Sequence, residues 1–204
     1  MIKYVFLVWV CLLKFTSVSA QERFVNKAYS FSMLKPADWI ERQNTEFINN
    51  IKRYEIGSKT LNDIIKQNQN SVALTSYYKY NPQAHAGLIP TINVLVRQNP
   101  IKNFDDFMSV ITQSANGMKQ IFKDMEYIKR PEEKVIDGVK SVYFVTKFTM
   151  KLADGTPIKV RNRNYAIPRE GHFFQINFID GSDSEDCSIE YDKLEKSIKL
   201  KDIQ

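Results

Sequence analysis

The stretch Val139 to Leu152 constrains this chain most. Read at a period of two, Val142, Phe144, Phe148 and Met150 fall on one side and Val139, Tyr143 and Val145 on the other. Side chains alternate across a strand, so a strand apolar on both sides has no face to give to water. The stretch therefore predicts a central strand. Asp137-Gly138 precedes it and Asp154-Gly155 follows it, both hairpin dipeptides. Ile158 to Ile167 is the next strand, a turn follows at Arg169-Glu170-Gly171, and Phe173 to Ile179 alternates again. Phe174, Ile176 and Phe178 share one face there, Gln175 and Asn177 the other. Upstream, Glu126 to Lys129 and Glu133 to Ile136 read as short edge pieces around Arg130-Pro131, because proline cannot donate to a ladder. The whole is a meander.

Two more strands and the helices come from the same periodicities. Val72 to Tyr80 reads as a strand broken by Asn81-Pro82, and a loop through Gly87 and Pro90 leads to a strand at Thr91 to Gln98, with Ile92, Val94 and Val96 inward. Asn103 begins a helix, with Asp106 placed at its positive end. Phe104, Phe107, Ile111, Met118, Ile121, Phe122 and Met125 recur at helical spacing, an apolar stripe of about five turns that should lie on the sheet. Ser58 or Thr60 can cap a short helix from Leu61 to Gln69. Ser182 and Glu185 have the spacing of a capping box for a last helix, whose buried stripe is Cys187, Tyr191, Leu194 and Ile198. Near the start, Tyr29 to Leu34 alternates and should stop before Pro36, leaving Trp39 to fold back over the core. These elements add up to α+β: an antiparallel sheet flanked by helices.

Residues 1–20 stand apart. Lys3 gives a positive start, Tyr4 to Leu13 is apolar, and Val18 and Ala20 are the small residues a signal peptidase reads. This is the pattern of a secretory signal peptide, too short to span a bilayer, so residues 21–204 are expected as a single secreted or periplasmic domain. Cleavage leaves 27 basic residues (29 less Lys3 and Lys14) against 23 acidic, a net charge of +4 in place of +6. So mild an excess, interspersed along the chain, favours solubility and does not ask for nucleic acid. Cys187 is the one cysteine left, so no internal disulfide can form. No later run is apolar enough to cross a membrane.

The order of these elements, carried by "YSFSMLKPADW", "FDDFMSVITQSANGMKQIF", "VIDGVKSVYFVTKFTM" and "HFFQINFI", resembles the PsbP-like family. The resemblance implies an α/β/α sandwich, shared with the Ran-binding nuclear import factor and with small secreted bacterial proteins. It also implies a mostly non-catalytic role as accessory subunit, binding module or chaperone. None of the family's functional residues can be matched in this chain, and a fold alone does not give a function.

The residues offer little chemistry of a recognisable kind. His85 lies in a loop and His172 opens a strand. No nucleophile elbow, His-Glu-x-x-His or glycine-rich phosphate cradle occurs. A Cys187–His172 dyad is conceivable, but the thiol sits on a buried stripe, where thiols are inert. "DGSDSED", Asp180 to Asp186, is acidic yet lacks the calcium-loop pattern, and its acids suit a helix start. Lys159, Arg161 and Arg163 alternate onto one strand face, with Tyr165 continuing the row and Lys147 or Lys151 adding to it across the hairpin. Such a row could take an acidic partner, an anion or an anionic lipid surface, or could simply keep a sheet face soluble. Tyr77, Tyr78 and Tyr80, before a proline loop, could form a partner surface or cover the rim of a core.

The expectation is a non-catalytic binding or accessory protein, monomeric, without cofactor or metal, engaging a protein or anionic ligand through a sheet face. The alternatives are a hydrolase-like enzyme with a scattered active site, or a carrier of a small apolar ligand between the sheet and the long helix. The last needs a real cavity there.

Overall fold

The computed structural model describes residues 21–42, 71–152 and 154–201. The signal-peptide segment 1–20 and the helix expected at 61–69 lie outside them.

A small two-stranded sheet is formed by β1 (Arg23–Asn26) and β2 (Phe31–Leu34). The chain then leaves it at Lys35-Pro36, turns at Asp38 with φ of 63°, and enters β3 (Ile40–Arg42) at the edge of the main sheet. The Pro-x-x-Trp segment is thus a crossover between sheets: proline ends the ladder, and Trp39, half-buried, packs on Tyr191 with ring centroids 6.1 Å apart.

The main sheet adds β4 (Ser71–Tyr78), β5 (Thr91–Gln98), β6 (Glu126–Ile136), β7 (Val139–Lys151), β8 (Pro157–Arg169) and β9 (His172–Gly181). Its order is β3-β4-β5-β9-β8-β7-β6, and every pairing is antiparallel. Strand β7 is interior, flanked by β6 and β8, but the middle of the sheet belongs to β9. Periodicity reports coverage of both faces and not rank in the sheet, and β7 is covered on both. Tyr143 and Val145 join one apolar cluster; Val142 and Phe144 join another. The two short edge pieces expected before β7 are one edge strand, interrupted by register shifts at 127–129 and 129–132 around Pro131. Bulges, a proline and charged side chains are what keep an exposed edge from pairing with another chain. Asp137 and Gly138 both take positive φ, 46° and 82°, as a twist-matched two-residue hairpin requires.

Helix α1 (Phe104–Gly117) starts where the sequence puts it, with the Asn103 side chain accepting from the Asp105 and Asp106 amides at 2.8 and 3.1 Å. It ends sooner than its apolar stripe. A 3₁₀ turn at Met118–Gln120 follows Gly117, a poor helix former, and Phe122 and Met125 reach their cluster from turns instead. Helix α2 (Ser188–Lys196) also departs from expectation: Cys187 is at its N-cap, and Ser182 and Glu185 form no capping box. Asp186 accepts from the Ser188 amide at 2.8 Å in their place. The stripe itself holds, with Cys187, Tyr191, Leu194 and Ile198 each no more than 4% exposed.

Helix α2 and the β1–β2 hairpin cover one face of the main sheet, and α1 covers the other. The first face carries the larger core, built from Phe31, Met33, Ile92, Ile176, Phe178, Tyr191 and their neighbours. Phe31 lies 4.9 Å from Phe174 and Phe178 lies 4.9 Å from Tyr191, ring centroid to centroid. The hairpin is tied to the end of α2 by Ser32 and Lys199, whose amides donate to each other's carbonyls at 2.9 and 2.8 Å. The layers are therefore helix, sheet, and helix with hairpin, the α+β sandwich expected.

Candidate functional site

The basic row exists, and α2 covers it. Lys159, Arg161, Arg163 and Tyr165 do share a face of β8, with Lys147 opposite Arg161 across the hairpin. The loop 181–187 and α2 pass over that face and supply acids. Arg161 donates to both oxygens of Asp180, at 2.8 and 2.6 Å, and to Asp186 at 2.6 Å. Arg163 donates to Asp192 at 2.8 Å and to the Ser188 hydroxyl. Lys159 pairs with Asp183 at 2.5 Å and Lys147 with Glu126 at 3.0 Å. Tyr165, 1% exposed, donates to Glu195 at 2.6 Å. The electrostatics follow from these contacts. Asp180 raises the Arg161 pKa, and the Ser188 hydroxyl and Arg161 hold the Asp186 carboxyl far below its ordinary value. Burial first, then Glu195, raises the Tyr165 phenol. The sheet face that the sequence offers to an anionic partner is engaged by anions of the chain itself.

The tyrosine group divides. Tyr77 and Tyr78 are each 1% exposed and belong to the interior, not to a partner surface. Burial pushes Tyr77 up to about 12. Tyr80 is held outside: its hydroxyl donates to Glu185 at 2.8 Å and its ring stacks on His85 at 4.4 Å. Lys79 pairs with Glu185 at 2.5 Å and stands 3.7 Å from the Cys187 sulfur. Desolvation pushes the Cys187 thiol up to about 11, which makes it a poor nucleophile at neutral pH. Cys187 adjoins the end of β9 through Asp180, whereas His172 opens that strand, so the two are separated by about 25 Å of strand. They form no dyad. The acids of "DGSDSED" bind Arg161, Lys159 and Lys79. Among the described residues no three His, Cys, Asp or Glu side chains are grouped to hold a metal.

The other face is different. Between α1 and the sheet lies a cleft of about 400 Å³. Phe107, Ile111, Met118, Phe144 and Phe173 give it apolar walls, and Val110 and Ser114, exposed on α1, stand at its mouth. Its floor is polar: Arg97 of β5, Asn99 just beyond, Gln175 of β9 and Asn164 of β8. Arg97 donates to the Gln175 amide oxygen at 2.9 Å, and burial lowers its pKa. Asn99 is 5% exposed; its side-chain Oδ1 accepts from the Ile101 amide at 3.1 Å, while its Nδ2 has no hydrogen-bond partner among the described residues. A buried donor left so costs about 1–3 kcal/mol.

Behind this floor a row of polar side chains crosses four strands in register: Ser76, Asn93, Asn177 and Asn164. Ser76 donates to Asn93 at 2.9 Å and Asn164 to the Asn162 carbonyl at 3.2 Å. Sheet faces packed on a helix are ordinarily apolar. Gln175 and Asn177 are visible in the sequence as the polar side of an alternating strand, and Asn93 and Arg97 take the same place in β5. What the sequence does not contain is the register that sets them side by side and α1 over them.

The class so defined is an α+β sandwich with an ion-paired face under α2 and a cleft face under α1; a further hollow of about 450 Å³ opens at the end of the ion-paired face, between Lys147, Phe148, Lys159, Arg161 and Asp183. Solved structures with a similar fold come from several sources. A protein of Bacteroides thetaiotaomicron matches 89% of this chain and 49% of its own length at 12% identity, with a TM-score of 0.50, so this chain spans about half of that protein. LpqN of Mycobacterium tuberculosis, involved in cell envelope biogenesis, matches 83% of this chain and 82% of its own at 14% identity and a TM-score of 0.49. The cyanobacterial PsbP of Synechocystis matches 91% and 96% at 13% identity and a TM-score of 0.49. At such identities the likeness is one of fold alone. No family model matches the chain. No curated protein matches it in sequence.

Proposed function

We propose that the chain is a non-catalytic binding protein of the extracytoplasmic space that takes a small ligand in the cleft between α1 and the sheet. One observation carries this reading: a cleft of about 400 Å³ that combines apolar walls with a buried polar floor. Ligand sites are concavities of roughly 300–1,000 Å³ with that composition. The carrier alternative asked for such a cavity. The other face, where a protein or anionic partner was expected, has its cations paired internally. The signal-peptide pattern of residues 1–20 supports the compartment, and no helix among the described residues is long and apolar enough to cross a membrane.

The test is native mass spectrometry of the chain after export from its own host, beside a Ser114→Trp variant that plugs the mouth of the cleft. A small molecule should travel with the wild type and be absent from the variant. Retention by both, or by neither even when the wild type is incubated with a metabolite extract, contradicts the reading. N-terminal sequencing of the exported chain should begin at Gln21; a start at Met1 would remove the compartment.

A further inference from the structure

We propose that the cleft under α1 selects uncharged apolar ligands that carry a hydrogen-bond acceptor of the carbonyl kind, and that Gln175 is the residue that reads the acceptor. This rests on the cleft being a ligand site and adds the chemistry of the ligand.

Gln175 lies on β9 and lines the cleft beside Phe173, on the side of the strand that faces α1. A side-chain amide has a donor end and an acceptor end, and here a neighbour decides which end points where. A guanidinium has five N–H donors and no acceptor. Arg97 donates to the Gln175 Oε1 at 2.9 Å, so the oxygen is turned to Arg97 and the Nε2 away from it. The Nε2 has no hydrogen-bond partner among the described residues and, unlike the Asn99 Nδ2, is not shut away from the surface. Gln175 therefore offers the cleft a donor of fixed direction.

The other polar groups of the floor are engaged or out of reach. Arg97 is held by Gln175 and by a further interaction. Asn164 donates to the Asn162 carbonyl at 3.2 Å, and the Asn99 Nδ2 is buried. The walls beside Gln175 are apolar: Phe107 and Phe173, edge to face at 5.5 Å, with Phe144 and Met118 beyond. No Asp, Glu, Lys or His is among the described residues lining the cleft, so a cationic ligand finds no counter-charge there. A carboxylate leaving water needs several donors, which one neutral amide nitrogen does not replace. A carbonyl needs a single donor, and its apolar flanks suit the phenylalanine walls.

The test is isothermal titration of the folded chain with butylbenzene, benzylacetone, phenylbutyrate and phenylbutylamine, which share a body and differ in carrying no polar group, a ketone, an anion and a cation. The wild type should bind benzylacetone at least about tenfold more tightly than phenylbutyrate. Gln175→Glu keeps an oxygen on Arg97, so the floor stays paired, and exchanges the Nε2 for a second oxygen. It should weaken benzylacetone at least about fivefold, leave butylbenzene within about twofold, and tighten phenylbutylamine. Gln175→Met, which removes both ends of the amide, should repeat the loss of benzylacetone without the gain of phenylbutylamine. Equal losses of benzylacetone and butylbenzene in Gln175→Glu overturn the role of Gln175 while leaving the cleft as a site for apolar ligands. Phenylbutyrate binding as tightly as benzylacetone to the wild type overturns the choice of an uncharged ligand in the same way. If none of the probes binds, the inference falls, and if Ser114→Trp also changes nothing, the cleft reading falls with it.

Discussion

The face of the main sheet under α2 and the face under α1 are built on the same strands, residue by alternate residue, and they treat polarity in opposite ways. Under α2 every arginine of the β8 row meets a carboxylate, Asp180 is fully buried in a bidentate pair, and aromatic rings interlock from Phe31 to Tyr191. Under α1 the helix is shorter than its stripe, amides cross the floor in a row, and the Nδ2 of Asn99 has no partner among the described residues. A buried polar group costs free energy unless it is satisfied, so the charged row of the first face is tolerated by internal pairing. On the second, polarity stands beside a cleft. On the reading proposed above, stability is concentrated on one side of the sheet and ligand recognition on the other.

That division can be broken most directly by truncating side chains on each face. Tyr191→Ala should cost about 3–5 kcal/mol in urea unfolding, as for other large core aromatics, whereas Ile111→Ala on α1, half-buried, should cost under about 2. Equal losses would erase the contrast. Arg161→Met should cost about 3 kcal/mol, because it strands the buried Asp180 carboxylate. Lys159→Met, which removes an exposed pair in the same row, should leave the unfolding midpoint where it is. Ser114→Trp should change stability by no more than about 0.5 kcal/mol while abolishing retention of the ligand, a separation that only a site away from the core allows.

The smallest effect concerns pH. The Asp186 carboxyl is held below its ordinary value by Ser188 and Arg161. A depressed carboxylate adds stability above its unfolded value, near pH 4, and loses it as the pH falls further. Asp186 is 61% exposed, so solvent limits the gain to under about 1 kcal/mol. Asp186→Asn should therefore flatten the loss of stability below pH 4 slightly, and an unchanged acid profile would assign that loss to other carboxylates.

Much of the fold was legible because period two and period 3.6 are local signals. The strand at Thr91–Gln98, the start of α1 at Asn103 and the buried stripe of α2 stand where the sequence puts them. What failed was non-local or depended on tertiary partners. Strand β9 displaced β7 from the middle of the sheet through its pairing with β5, a contact across some eighty residues. Glu185 has capping-box spacing from Ser182, but Lys79 and Tyr80, a hundred residues away, hold its side chain. The basic row was read correctly as one face and could not be read as occupied, because the acids that meet it come from α2 and its leading loop. The cleft floor was half visible, in Gln175 and Asn177; its partners Arg97, Asn99 and Asn164 became a site only through strand register.

The most direct test is a titration of the isotopically labelled chain with a small-metabolite extract of its host, followed by amide and side-chain NMR shifts. Shifts should gather on Arg97, Asn99, Gln175 and the Val110–Ser114 turn of α1, and residues facing α2 should stay in place. Shifts centred on Arg161, Arg163 and Asp192 instead would mean that the ion-paired face takes the ligand and that the division between the two faces is wrong.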